Sequence, residues 1–329
     1  MVSYIVRRFF MAILTILAIS ILAYIIIQLP PGDYVTSYIA SMSMSGSSVS
    51  EAEAQALRMQ LGLDQPIYIQ YLKWMALICE GNFGMAMEYG RPVLDVIGDR
   101  LWLTIIISGA AIIFTWALAL PIGIYSAVRP YSFADYIFTF IGFLGLAIPG
   151  FMLALIIMYI GFSYFGTSVG GLFSADYMEA SWSLDKVWDL IKHLPTPAIV
   201  LGISGTAQMI RIMRSNLLDE LRKPYVMTAR ARGLTEFKVI MKYPVRVALN
   251  PFVSTIGYLL PYVVSGSLIV SMVLSLPTVG PLLLKALIAQ DMFLAGTIIL
   301  LLGVMTVIGT FFSDLLLMWV DPRIRLGRN

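Results

Sequence analysis

A chain of 329 residues that is 59% hydrophobic and only 12% charged, with a mean hydropathy of +0.85 and a net charge of +3, is short of polar surface. Soluble domains are about 45–50% apolar and roughly 25% charged, so the bilayer must serve as the solvent here, which excludes a soluble enzyme, a nucleic-acid module and a disordered chain. The single cysteine, Cys79, and single histidine, His193, exclude a disulfide framework, a zinc cluster and a repeated thiol–imidazole motif.

A helix crossing roughly 30 Å of hydrocarbon needs about 20 apolar residues. The first such run is Phe9–Leu29, uncharged and preceded by Arg7-Arg8. It exceeds the about 7–15-residue apolar region of a secretory signal, and Gln28-Leu29-Pro30-Pro31-Gly32-Asp33 replaces a cleavage site. It reads as an uncleaved span. The second run, Leu101–Val128, lies between Arg100 and Arg129. The third extends from near Tyr136 to near Phe165 and is interrupted by Gly142, Gly145 and Pro149-Gly150. Leu194–Ile210, short and opened by Pro195 and Pro197, is the fourth. The fifth runs from about Pro251 to Leu276 around Pro261, and the sixth from about Phe293 to Val320. Asp314, the only acid within a predicted span, lies near one end, where interfacial water or a basic neighbour can satisfy it. The expected fold class is an all-α integral membrane protein of six transmembrane helices.

Basic residues in the connections set orientation. One side collects 15 of the 22 Lys and Arg with five acids, and the other holds seven basic and 13 acidic residues. Nine of the 15 lie in the single link 211–250. Both termini are therefore expected in the cytoplasm, with residues 1–29 forming tail and first span, 30–100 an extracytoplasmic segment, and 101–329 the remaining five-helix core.

The 30–100 segment carries helix signals. Ser50 with Glu53 makes a capping box, each side chain satisfying the other residue's orphan amide, and Gly62 should stop the helix it opens. A second helix begins near Pro66, which has no N–H to lose at a first turn. It carries Ile67, Tyr71, Trp74, Met75 and Ile78 on one stripe and ends at Gly81. Such a stripe marks packing. In the other outer insertion, 163–193, Trp182 and Trp188 suit a membrane–water interface.

The link 211–250 is patterned. Pro224 opens and Gly233 closes a helix of about nine residues, roughly 13 Å long. Arg230 and Arg232 fall in its last turn, where the helix dipole favours cations. Thr228, Ala229 and Ala231 keep its surface small enough to seat in a groove, and Thr235 caps a second helix toward Pro244. The plainer reading is a solvated basic loop that touches lipid phosphates.

The order Tyr225-Val-Met-Thr-Ala-Arg-Ala-Arg-Gly233-Leu resembles the EAA loop of ABC importer permeases, in the variant where Met227 replaces the first glutamate. Leu29-Pro-Pro-Gly32-Asp33, Leu61-Gly62-Leu63-Asp64-Gln65-Pro66, Gly90-Arg91-Pro92-Val93 and Asp321-Pro322-Arg323-Ile324-Arg325 are similar to the first permease subunit of dipeptide, oligopeptide and nickel importers. These motifs run from the first span to the last residues.

The resemblance implies a type I permease fold without catalysis or bound cofactor of its own. It implies a second homologous permease, two cytoplasmic ATPases that hold ATP and magnesium, an external solute-binding protein, surrounding membrane lipid, and no nucleic acid. It places the ATPase-coupling helix at Tyr225, Thr228, Ala229, Arg230, Ala231, Arg232 and Gly233. The absence of G-x-x-x-x-G-K-[ST] from the chain fits phosphate binding by a partner. Pro149 and Pro261 offer pivots, and Tyr258, Ser265 and Ser267 are pathway candidates if the fifth span lines the route. The cargo stays open between peptides, nickel and, from the aromatic insertion, oligosaccharides. Rival readings are an ion-coupled secondary carrier, disfavoured by the scarcity of intramembrane charge, and a hydrolase built on Ser204 and His193, where small residues around Ser204 instead suit close helix contact.

Overall fold

Without water in hydrocarbon, a segment must satisfy its own amides, and a helix does so within one stretch of chain. The computed structural model describes residues 2–44, 46, 49–166, 169–255 and 268–320. In chain order the helices are α1 (Val2–Gln28), α2 (Tyr34–Met44), α3 (Glu51–Leu61), α4 (Ile67–Cys79), α5 (Val93–Val128), α6 (Phe133–Ala147), α7 (Gly150–Phe165) and α8 (Leu184–His193). They continue with α9 (Pro195–Leu221), α10 (Pro224–Ala231), α11 (Glu236–Lys242), α12 (Pro244–Ala248), helical residues 250–255, α13 (Leu268–Val273), α14 (Val279–Ile288) and α15 (Met292–Val320). A small antiparallel ladder, β1 (Met85–Ala86) with β2 (Arg91–Pro92), aligns Met85 with Pro92.

Among the described residues three helices, within α1, α5 and α15, are long and apolar enough to cross a bilayer. A fourth is added if α6 and α7, bent by 101° at their junction, count as one span. The predicted third crossing is thus two helices rather than one. Pro149 disfavours helical dihedrals at Ile148 before it, and Ile148 is extended (φ −83, ψ 120). The predicted fourth span continues beyond Ile210 to Leu221, so the link after it begins later than its charge pattern suggested. The middle of the predicted fifth span, residues 256–267 with Gly257, Pro261 and Gly266, lies outside the described residues, as does the Asp321–Arg325 motif.

The chain forms two compact units, Met1–Trp102 with Thr278–Val307 and Leu103–Pro277 with Ile308–Asn329. In the first, Ser50 Oγ accepts the Glu53 amide and Glu53 accepts the Ser50 amide at 2.9 Å, the expected capping box. Gly62, at φ 70, ends α3 in the left-handed conformation. The α4 stripe packs from Tyr71 onward, while Ile67 at its start is exposed: Trp74 is buried and Tyr71 meets α1, its hydroxyl 2.8 Å from Ser20 Oγ and its ring edge-on to Tyr24. Pro66 sits one position before the first helical residue of α4, as its cap. A Cβ at Gly296 would stand 3.0 Å from the Trp74 ring, so α15 approaches this cluster with bare backbone. Asp33 binds Arg58 at 2.7 Å and the Thr36 hydroxyl at 2.6 Å. Asp291 is buried at the start of α15 and accepts the amides of Leu294 and Glu88.

In the second unit α9 is the central helix. A Cβ at Gly202 would lie 2.7 Å from the Phe114 ring, and one at Gly123 would lie 2.6 Å from Met213 Cβ, so glycines on both helices let α5 and α9 touch. Thr115 Oγ1 donates to the Gly202 carbonyl at 3.0 Å across that contact. One core cluster joins Leu103, Ile107, Ala154, Leu172, Leu190 and Val200. A second joins Ala119, Met209, Met213, Leu217, Ile240, Val245 and Phe252. The outer insertion is folded by Asp189, which accepts the Ser174 amide at 2.7 Å and its hydroxyl at 2.6 Å, and by Lys186 over the Phe173 and Trp182 rings.

Candidate functional site

The patterned link folds as a helical hairpin, α10–α11, joined directly to the end of α9. Lys223 is extended (φ −71, ψ 145), and Pro224 follows as the first helical residue, where its missing N–H breaks no bond. The Tyr225 hydroxyl donates to the Glu220 carboxylate of α9, and Thr228 Oγ1 donates back to the Pro224 carbonyl at 3.0 Å. Gly233, at φ +75, reverses the chain after α10. Nothing lies within 4 Å of where its Cβ would be, so its backbone conformation, not crowding, calls for glycine there.

Two kinds of tie hold the hairpin. The Arg230 guanidinium forks onto Glu236 at the start of α11, with Nη2 at 2.6 Å and Nε at 3.1 and 3.2 Å. That bond holds the Glu236 carboxyl below its ordinary value. Beneath it Val226, Ala229 and Val239 are buried together, with Tyr225 and Tyr243 against them. The neighbouring Ile240 belongs to the core around Met213 and Leu217 of α9. Val239 thus closes the hairpin on itself, while Ile240 fastens it to the long helix.

Among the seven residues that the EAA-like motif singles out, Thr228, Arg230, Ala231, Arg232 and Gly233 are exposed, and Tyr225 is half-buried. Ala229 is 4% exposed and faces α11, so it packs the hairpin rather than its free surface. The free surface has an apolar component that the small-residue pattern does not announce. Met227 is 58%, Phe237 75% and Met241 43% exposed, with Leu234 between the helices. A signal for it exists in Glu236–Lys242: Val239 and Ile240 form one apolar face, and Phe237 and Met241, four apart, form another. A seven-residue helix with two apolar faces has more to cover than its own core.

Pro149 lies at the α6–α7 bend, and a Cβ at Gly150 beside it would stand 3.3 Å from Val270 of α13. Tyr258, Pro261, Ser265 and Ser267 lie outside the described residues. Ser204 Oγ leans toward the Leu201 carbonyl of its own helix, and His193 Nδ1 lies 2.8 Å from the Asp189 carbonyl. Neither is arranged toward the other as a nucleophile and base. Among the described residues no three His, Cys, Asp or Glu side chains converge on a metal position.

Long apolar helices, a sharply broken helix pair and a hairpin on the end of α9 define a polytopic α-helical permease of the type I importer architecture. A chain of the MetNI methionine ABC transporter, solved in inward-facing conformations, shares this fold with a TM-score of 0.53 at 16% identity, covering 69% of this chain and 97% of that one.

The chain belongs to the family of binding-protein-dependent transport system inner membrane components, whose profile matches residues 119–326, with the family's N-terminal component matching residues 1–108. It is 35% identical to the oligopeptide transport system permease protein AppB of Bacillus subtilis over 98% of this chain and 99% of that protein. It is 31% identical to the dipeptide transport system permease protein DppB of Escherichia coli, over 99% of both chains. It is a transport component of the inner membrane.

Proposed function

We propose that this chain is the first permease subunit of an ATP-driven, binding-protein-dependent importer of di- and oligopeptides, and that α10 is its coupling helix. The relatives named for oligopeptide and dipeptide transport favour peptides over nickel or oligosaccharides. A second homologous permease completes the pathway. Two ATPase subunits hold ATP and magnesium on the cytoplasmic side, and a solute-binding protein delivers cargo from outside. Both termini are cytoplasmic, because the side that holds the 211–250 link carries most of the basic residues. The α6–α7 bend at Pro149 is the pivot, with Tyr258, Pro261, Ser265 and Ser267 along the route.

One observation carries the coupling role: the hairpin is fastened to α9 through Ile240 yet leaves Met227 and Phe237 exposed on its free surface. In water those side chains favour burial by about 1.5–3 kcal/mol each, and a protein partner supplies the cover. Force applied there reaches α9 through buried side chains, and the Arg230–Glu236 tie resists shear between the two helices.

A cysteine at Thr228 in a Cys79→Ser background tests this in the assembled importer. A short reagent that links a thiol to an amine should join it to a lysine of the ATPase subunit, and ATP should change the yield. Labelling of that cysteine by a water-soluble maleimide at the same rate with and without the ATPase subunits would remove α10 from the interface.

A further inference from the structure

Arg211, Arg214 and Leu218 of α9 and its C-cap Arg222 recur at spacings of three and four, so they share one face of the helix. With Ser215 and Asp219 they line a cavity at the end of α9 that precedes the hairpin. A second, apolar groove lies between α6 and α9, walled by Phe138, Gly142, Phe143, Ala207 and Ile210, and it shares Arg211 and Arg214 with the first. The shared arginines set the cationic mouth beside the apolar groove.

The groove exists because α6 and α9 meet through small residues. A Cβ at Gly142 would stand 3.3 Å from Ala207 Cβ, and the larger Phe138, Phe143 and Ile210 flank that contact. The charges at its mouth do not cancel. Arg214 is neutralised by Asp135, with Nη2 at 3.0 Å and Nε at 3.2 Å, and lies over the Tyr131 ring. Arg211 lies over the Phe143 ring at 5.5 Å, held by an aromatic face rather than a carboxylate. Arg211 and Arg222 therefore face the single carboxylate of Asp219, which leaves one positive charge in excess.

We propose that this feature is a binding site for an anionic phospholipid of the cytoplasmic leaflet, with the phosphodiester among Arg211, Arg222 and Ser215 and an acyl chain in the α6–α9 groove. The leaflet assignment rests on the orientation proposed above; the site itself does not. A phosphodiester carries the single negative charge that the mouth lacks. The apolar groove decides between sources of phosphate, since a free phosphate ion would leave it uncovered. A lipid bound there would splint α6 to the end of α9 that carries the coupling hairpin, and so tie transport to membrane composition.

The test uses the complete importer reconstituted in symmetric nanodiscs, which makes the result independent of orientation, followed by native mass spectrometry of retained lipid. Wild-type complex should retain phosphatidylglycerol in preference to phosphatidylcholine. Arg211→Gln and Arg222→Gln should each weaken retention about five-fold, the worth of one basic residue at a membrane surface, while Arg211→Lys restores most of it. Thr139 also lines the groove, and Thr139→Trp, which fills it and keeps all three arginines, should abolish retention. Equal retention of the two lipids by the wild type would overturn the proposal without recourse to any variant. Undiminished retention in Thr139→Trp, or displacement of the lipid by inorganic phosphate, would reduce the site to an anion-binding mouth and overturn the lipid assignment. Loss of ATPase coupling with unchanged lipid retention in Arg211→Gln would do the same and assign that residue to the coupling machinery.

Discussion

The α3–α4 region and the α10–α11 hairpin are built with the same backbone devices and anchored very differently. Each reverses at a left-handed glycine, Gly62 at φ 70 and Gly233 at φ 75. Each is clamped by an arginine on a carboxylate, Arg58 on Asp33 at 2.7 Å and Arg230 on Glu236 at 2.6 Å. Below α4, however, lies a cluster of large rings, Trp74 with Tyr24 and Tyr71. Below α10 lie only Val226, Ala229 and Val239, with the flanking rings of Tyr225 and Tyr243 half-buried. The one aromatic residue of α11, Phe237, points away from that core. Exposure alone does not separate the two regions, because α4 also shows Tyr68 and Leu72 on its far face, as a helix lying at a bilayer surface would. The depth of core beneath the helix does. The α4 region can hold its shape alone, whereas the hairpin has its large apolar groups left over for a partner.

If that contrast is right, the largest effect belongs to Phe237. Phe237→Asp should leave the fold intact, because the side chain contributes little to it, and should weaken association with the ATPase subunits. An aromatic anchor at the centre of an interface is worth at least about 2 kcal/mol, or roughly 30-fold in affinity. Titration of purified ATPase subunit onto the reconstituted permease measures this. An unchanged affinity would mean that another surface receives the ATPase. Gly233→Val comes next. A β-branched residue held at positive φ costs about 1–2 kcal/mol, which shifts the hairpin's reversal without touching its surface. The expected result is an assembled importer whose ATPase responds only weakly to loaded binding protein. Normal stimulation would show that the turn geometry does not transmit the signal.

Much of this was legible in the residues. The Ser50–Glu53 box, the stops at Gly62 and Gly233 and the Pro224 start are local: each depends on a side chain reaching its own backbone, so spacing alone predicts it. The α4 stripe was equally legible, since Trp74 and Tyr71 lie one turn apart. The sharp α6–α7 bend was half visible. Pro149 announces an interruption, but an angle of 101° is settled by what each helix packs against: Gly142 on Ala207, and Gly150 beside Val270. The length of α9 is not legible from charge, because the helix runs on past Arg211 and Arg214. Arg214 continues it by pairing with Asp135 of α6, a contact distant in sequence. The place of Ala229 depends on a similar contact. Small residues suggest a surface made for docking, yet the pairing of α10 with α11 turned Ala229 inward and left Phe237 outside.

The smallest effect concerns acid, and it separates two carboxylates within the amino-terminal unit. Burial alone would raise the Asp33 carboxyl, but the bonds from Arg58 and Thr36 outweigh it and hold the group below the ordinary carboxylate value. Its contribution to stability is therefore fully present above the unfolded value, about 3.9, and is lost as pH falls through the lower folded value. Asp291 has the opposite sign. Its burial outweighs the backbone bonds from Leu294 and Glu88 and raises the carboxyl, so stability declines as pH rises from the unfolded value through the folded one. Asp33→Asn should flatten the loss of amide protection in α2 and α3 on acidification, by less than about 1 kcal/mol given how open the Arg58 pair is to solvent. Asp291→Asn should instead flatten the decline that follows as pH rises above the unfolded value. Hydrogen exchange corrected for intrinsic rates, followed across the acid range, distinguishes the two. The α10–α11 hairpin offers the control: its Arg230–Glu236 tie has a lowered carboxyl but lies open to water, so the same acidification should leave hairpin protection nearly unchanged until the ATPase subunits cover it.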